Sequence, residues 1–429
     1  MRTWSRRRRP ASTPVVLWVL AAAAVLLLAT GVAATGASPD DPGVVTPGTD
    51  AQRWDPQLAG SAVRVQVDGG AARLASPRDG EPPQRAGSLR GAQRQGFLDL
   101  GTHTFAHPVD RFDVPVTAER PPGTSIIAEV RGRDDAGRWT EWVPSAPGAP
   151  AVLPAPSRTV ALRLTLTAPG TAAGPTVRSA SVHADRRVGA QRELTPRASY
   201  KVFATREGLT GGTTSNGHVI TENDQFVALP SRGALDADGK GDYSVRMCTD
   251  AGRCAIVPVW DVGPWNTDDD YWNPAPPRTT YTDLPQGMPQ AQAAFQNKYN
   301  DGDDGLGRTV KNPAGIDVAD GTFHALGLGD NSFVTVDYLW TGRAGESPTD
   351  VHLATADSPD NPVTIRSTPA NGGDDKGLVG NDAQVDVQCH VAGDSVTGSH
   401  GTSTDWLRID TDKYVPAAWM VPTNQAPDC

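Results

Sequence analysis

The stretch "RCAIVPVWDVGPW", Arg253 to Trp265, decides how this chain is read. Ile256, Val257 and Val259 are β-branched in an alternating apolar run, which reads as a strand. Asp261 closes that run, and Val262-Gly263-Pro264 ends it, because Pro264 brings no backbone N–H. A carboxylate at a strand end lies on the rim of a sheet, held by a rigid backbone, and function concentrates at such rims. Trp260 and Trp265 flank Asp261, and Tyr271 and Trp272 follow shortly. Aromatic faces stack on sugar rings and also desolvate a nearby carboxylate, which raises its pKa toward that of a general acid. These four rings are therefore candidate substrate contacts, with Asp261 the candidate acid. Asp317, in "GIDVADGTFHALGL", is a candidate second carboxylate of the kind glycosidic cleavage uses.

Working outward, Cys248 and Cys254 bracket "TDAGR", a loop short enough for a hairpin stapled by a disulfide. Cys389 and Cys429 are the other two cysteines. Four cysteines allow three connectivities, and local pairing is the expectation. Their spacing matches no zinc site. The acidic runs Asp268–Asp270 and "DGDDG" (Asp301–Gly305) lack the loop pattern and distal Glu of an EF-hand, so they are expected to be a solvated insert. No metal and no cofactor is expected.

Ahead of a 23-residue Pro/Gly/Asp/Thr-rich linker, 35–57, the first 34 of 429 residues combine Arg6 to Arg9, an apolar run from Val15 and small residues. That pattern predicts a cleaved secretory signal peptide, with a retained single-span anchor as the rival reading. Losing five arginines and no acids takes the formal net charge from −10 to −15. An acidic exported chain is a poor partner for nucleic acid or an anionic membrane. Export also permits disulfides.

Residues 58–185 carry short strand-like runs between Gly/Pro clusters, among them "AVRVQV", "SIIAEVRGR" and "TVALRLTLT", which predicts a β-sandwich. "DDAGRWTEWVP" reads as a hairpin carrying Trp139 and Trp142, half-buried or offered to a ligand. A linker is expected over 186–199. A second β-rich unit covers 200–342, with a long insert, Asn266 to Pro313, whose one helical candidate is "MPQAQAAFQNKYN". Its five aromatics argue for order. The last segment, 350–429, reads as a small all-β module. The fold class is thus all-β and multidomain.

Four blocks in order resemble the six-stranded double-psi β-barrel of rare lipoprotein A and expansin-like proteins. They are "TSNGHVI" (Thr214–Ile220), "DQFVALPS" (Asp224–Ser231), the opening stretch, and "GIDVADGTFHALGLGDNSFVTVDYL" (Gly315–Leu339). The resemblance places Asp261 on that family's rim aspartate, essential in its lytic transglycosylases and substrate-contacting in expansins. Asp317 falls on an aspartate whose usual role is structural, and Asn216 and His218 fall in the turn beside the groove. Transglycosylase members carry a His before Leu-Pro, where this chain has Phe226, Val227 and Ala228. A single Asp serving first as acid and then as base would suffice.

"VTIRSTPANGG" and "KYVPAAWM" resemble the ends of bacterial SH3-like modules of actinobacterial exported wall proteins. That resemblance implies a Cys389–Cys429 bond and makes Trp406 and Trp419 candidate wall contacts. The implied function is secreted, wall-associated peptidoglycan binding, with cleavage of glycan strands as the enzymatic extension. A non-catalytic expansin-like binder or an envelope scaffold is the alternative.

Overall fold

The computed structural model describes residues 51–76, 93–187, 196–275, 277–342 and 350–429. The expected signal peptide, and most of the linker after it, lie outside these residues. Among the described residues no helix is long and apolar enough to cross a membrane. The fold is all-β, built from stacked sheets and one closed barrel.

The N-terminal part is two sheets sharing one core. One contains β1 (Gln52–Trp54), β2 (Ser61–Val63), β5 (Gln93–Asp113), β7 (Ser125–Arg133), β8 (Val143–Ser145), β9 (Ala151–Pro169) and β11 (Val182–Asp185). The other contains β3 (Val65–Asp68), β4 (Ala71–Leu74), β6 (Val116–Glu119) and β10 (Thr176–Ala180). Leu98, Leu162 and Leu164 of the first meet Ala72, Leu74 and Val177 of the second in a single buried cluster. This is the layered apolar-in, polar-out solution expected of a sandwich. Strand β1 lies inside the segment read as linker; its backbone pairs with β11, Arg53 opposite His183.

The barrel is made by β12 (Ser199–Arg206), β13 (Val227–Leu229), β14 (Ser244–Cys248), β15 (Cys254–Val262), β16 (Ala314–Val318) and β17 (Ser332–Tyr338). Its order is β13-β16-β12-β17-β14-β15, and β15 closes back on β13. Two of the pairings are parallel, β12 with β16 and β13 with β15. Val202, Val227, Val245, Val257, Ile316 and Val336 fill the interior, all fully buried. The opening stretch is therefore central rather than edge, and all nine residues of β15 are buried. Closure removes the exposed edges that an open sheet of this size must protect.

The insert is ordered. Helix α1 (Gln290–Asn297) forms where the Ala-rich stretch predicts it. Asp269 and Arg278 form a fully buried ion pair at 2.7 Å, and the second Asp269 oxygen accepts from Gln290 N at the start of α1. Asp304 is also buried, accepting from Leu306 N and Arg308 N to shape a turn. The expectation of a solvated acidic insert is corrected here. A carboxylate is tolerated in the interior where a cation and backbone donors offset its desolvation, as they do here. Among the described residues no cluster suits a metal ion.

The C-terminal module runs from β18 (His352–Ala356) through β19 (Val363–Arg366), β20 (Asp375–Val379), β21 (Gln384–Val387) and β22 (Cys389–Gly398). It continues with β23 (Gly401–Asp410), β24 (Lys413–Pro416) and β25 (Met420–Pro422). Strand β20 pairs in parallel with β15, Ala255 opposite Leu378, so barrel and module share one sheet. Ile256 accordingly packs in the module's core with Ile365 and Val379. Both disulfides are local, Cys248–Cys254 across the β14–β15 hairpin and Cys389–Cys429 from β22 to the last residue. They separate 6 and 40 residues respectively. The loop-entropy relation gives roughly 2 kcal/mol for the first and roughly 4 kcal/mol for the second. The Cys389→Ser/Cys429→Ser variant is therefore expected to lose more in denaturant unfolding than the Cys248→Ser/Cys254→Ser variant.

Candidate functional site

Asp261, Ala228, Asp317 and Thr205 lie side by side in one cross-strand row spanning β15, β13, β16 and β12. Asp317 alternates with Ile316 and Val318, whose side chains enter the barrel core, so it projects from the opposite face. Register thus brings together two carboxylates that are 56 positions apart in sequence. Gly263 lies beside the pair, with a Cβ there falling 3.6 Å from Asp317 Oδ2, an ordinary contact.

Asp261 is only 2% exposed. Its Oδ1 accepts from Ser215 N at 2.7 Å, Ser215 Oγ at 2.6 Å and Val262 N at 2.7 Å. Burial pushes its pKa up, opposed by those donors. Asp317 accepts from Thr205 Oγ1, and burial pushes it up to about 7 against that bond, with the Asp261 charge adding to the rise.

A third carboxyl completes the group. Glu207 follows directly on β12, close enough to Asp261 and Asp317 for their carboxyls to act on its protonation. Burial raises its pKa well above the usual range, and repulsion from Asp261 and Asp317 adds to this. Its Oε2 is buried and accepts from no donor. The backbone here is clamped: Glu207 N donates to Val318 O at 2.9 Å, while Arg206 and Gly208 both bind Asp320 at the start of α2 (Asp320–Ala325). Nothing in the four family-like blocks points to Glu207. The available signal was positional, an acid just past a strand end, as at Asp261.

The Thr214–Gly217 turn supplies the donors. Asn216 is 2% exposed; its Oδ1 accepts from Thr214 Oγ1 and His218 N, and its Nδ2 has no acceptor. Gly217 has φ +98°, and a Cβ there would lie 2.7 Å from Val63 Cγ1. Val63 belongs to the sandwich, and Arg64 beside it donates to Thr213 Oγ1 at 2.6 Å. Val63, Phe97, Leu235 and Val262 form one small cluster. The sandwich therefore packs over the turn that holds Asp261.

The aromatic expectation is corrected. Tyr271 and Trp272 are fully buried in the barrel's main core, Trp272 stacked on Tyr338 and Tyr271 Oη bonded to Tyr338 Oη at 2.6 Å. Trp260 is 7% exposed, stacked on Phe226, with Nε1 donating to Lys240 O. Trp265 is half-buried over α1, with Nε1 donating to Asn312 Oδ1. None forms an open platform around Asp261: Tyr271 and Trp272 are spent on the barrel core, Trp260 on Phe226 and Trp265 on the insert helix. Trp139 and Trp142 likewise join the barrel core, with Arg131 over both rings at 4.4 and 4.5 Å. Trp406 is buried, with Nε1 donating to Asp394 O, and Trp419 is partly buried against the module's core.

His218 is partly buried in its turn. It bonds Asp224 at 2.7 Å, faces Asp238 at 3.5 Å and packs on Trp260. Burial opposes its charge, but the two carboxylates outweigh burial and push its pKa up to about 9. A folded pKa raised above the unfolded 6.5 means stabilisation fully present below about 6.5 and lost as pH rises through about 9. Wild-type stability is thus expected to fall across that window in denaturant titrations, and His218→Gln to flatten the fall.

Residues 198–337 match the model of a family described as a domain of unknown function, DUF8814. The match coincides with the barrel and its insert and leaves the sandwich and the C-terminal module outside it. No curated protein matches the chain.

Proposed function

We propose that this is a secreted envelope protein of the rare lipoprotein A and expansin-like type, which binds peptidoglycan strands at the barrel rim and cleaves them through its carboxyl group cluster. The observation that carries the reading is the row joining Asp261 to Asp317, with the Asn216 amide unpaired beside it. Carboxyls with raised pKa values beside free hydrogen-bond donors are what acid-catalysed glycan chemistry requires. Two local disulfides fit an oxidising compartment and support export. The C-terminal module, read as SH3-like, extends the wall-binding surface as part of the barrel's own sheet.

The burial of Asp261 and the sandwich contact through Val63 and Arg64 favour a second reading, a non-catalytic wall binder or scaffold. Co-sedimentation of the full chain with purified sacculi tests the binding common to the glycan readings. Retention that soluble glycan strands compete away is the expected result. A chain left in the supernatant at every protein concentration would overturn both glycan readings.

A further inference from the structure

We propose that the sandwich carries a second binding site, a cleft on the outer face of its larger sheet that takes a small zwitterion with an ammonium and a carboxylate group. The cleft shares no residue with the Asp261 row. Its volume is about 320 Å³, and its lining includes Arg111, Asp113, His183, Asp185, Gly148 and Pro150. Register builds it: His183 of β11 lies opposite Asp113 of β5, and Asp185 lies opposite Arg111. Phe112 and Ala184 alternate with these four and are buried in the sandwich core. The four polar side chains therefore share the outer face.

The cleft is set in place before a ligand arrives. One wall is a tight turn in which Ala146 and Ala149 bond each other through both backbone groups at 2.9 Å, with Gly148 between them at φ +76°. Pro147 and Gly148 suit the two central positions of such a turn, since the second needs a left-handed residue. On the floor, Arg111 Nη1 donates to Asp185 Oδ2 at 2.8 Å, which fixes the guanidinium and leaves its Nε and Nη2 for a ligand. Asp113 is exposed, and its carboxylate has no hydrogen-bonding or ionic partner among the described residues.

These free groups define the occupant. Asp185 is neutralised by Arg111, so Asp113 is left to select a cation. A single free carboxylate suits an ammonium, whereas calcium and magnesium need several oxygen ligands. The open side of the Arg111 guanidinium pairs with a carboxylate in fork geometry. Arg111 and Asp113 are two residues apart on one strand, about 6.6 Å between Cα atoms. The two charged ends of an amino acid or a short peptide span that separation. A neutral sugar fits less well, because the lining includes no Trp, Tyr or Phe to stack on its ring. The volume lies at the small end of ligand cavities, in keeping with an occupant of this size.

NMR of the full chain, following the His183 ring, tests the site with alanine, lysine and alanyl-alanine as probes. Saturable shifts of His183 are expected, with a Kd on the order of 1 mM or tighter. Asp113 is exposed, so Asp113→Asn is expected to fold as wild type and to weaken binding about tenfold. Arg111→Lys keeps a charge for Asp185 but loses the fork, and is expected to weaken binding by about the same factor. Tighter binding of alanyl-alanine than of the free amino acids assigns the cleft to a peptide end; equal or weaker binding assigns it to a free amino acid. Acetate and methylamine, with one charge each, are expected to shift His183 far less at the same concentration. No saturable shift with any of the three zwitterions up to about 50 mM would overturn the proposal. Binding unchanged in Asp113→Asn, or an equal response to acetate, methylamine or uncharged N-acetylglucosamine, would overturn it too.

Discussion

Replacing Arg278 by alanine is expected to cost about 3–5 kcal/mol, the largest single effect in the barrel, because it strands Asp269 as a buried unpaired charge. Arg278 and Asp269 are both about 1% exposed, and the pair ties the segment after β15 to the loop before α1. Asp269 also accepts from Gln290 N, so its displacement unpins the helix as well. The expected signature is local as well as global: backbone hydrogen exchange rises across 266–313, and the unfolding midpoint drops. Arg278→Lys is expected to recover only part, since the guanidinium also donates to Pro285 O and Met288 O. The double variant Arg278→Leu/Asp269→Leu should be less damaging than Arg278→Ala alone, because it removes the stranded charge.

The second large effect is expected at Glu141, the clasp between sandwich and barrel. Its carboxylate accepts from Trp272 Nε1 at 2.6 Å, Trp340 Nε1 at 2.8 Å and Asn273 Nδ2 at 2.8 Å. Glu141→Ala leaves these donors unpaired at a packed interface, at a cost of about 3 kcal/mol or more. For a chain of this size that is roughly 3–4 °C in thermal midpoint. Glu141→Gln retains one acceptor oxygen and is expected to fall between wild type and Glu141→Ala. A midpoint unchanged in Glu141→Ala would show that the clasp contributes nothing to joining the two parts.

Strand alternation and turn residues made the all-β class legible, and the β15 stretch located the barrel. The two local disulfides were legible from spacing around a hairpin and from the module-family likeness. What failed was the orientation of the aromatics near Asp261. A run such as Tyr271-Trp272 reads equally as a sugar platform or as core, and only the path of the insert decides between them. Trp139 and Trp142 take the packing role of the two their hairpin allowed, and what the sequence could not show is that they pack on the barrel. Glu207 was missed because its relation to Asp261 is set by the closure of β12 beside β16, a register that sequence periodicity does not encode. Asp269 and Asp304 were misread as solvated because buried, paired acids look like surface acids until their partners are placed.

Digestion of purified sacculi by the full chain, with released fragments identified by mass spectrometry, tests the central claim most directly. Wild type is expected to release ring-closed muropeptides, with Asp261→Asn strongly reduced and folded by circular dichroism. Absence of such fragments from wild type across the pH range, or equal release by both proteins, would contradict it.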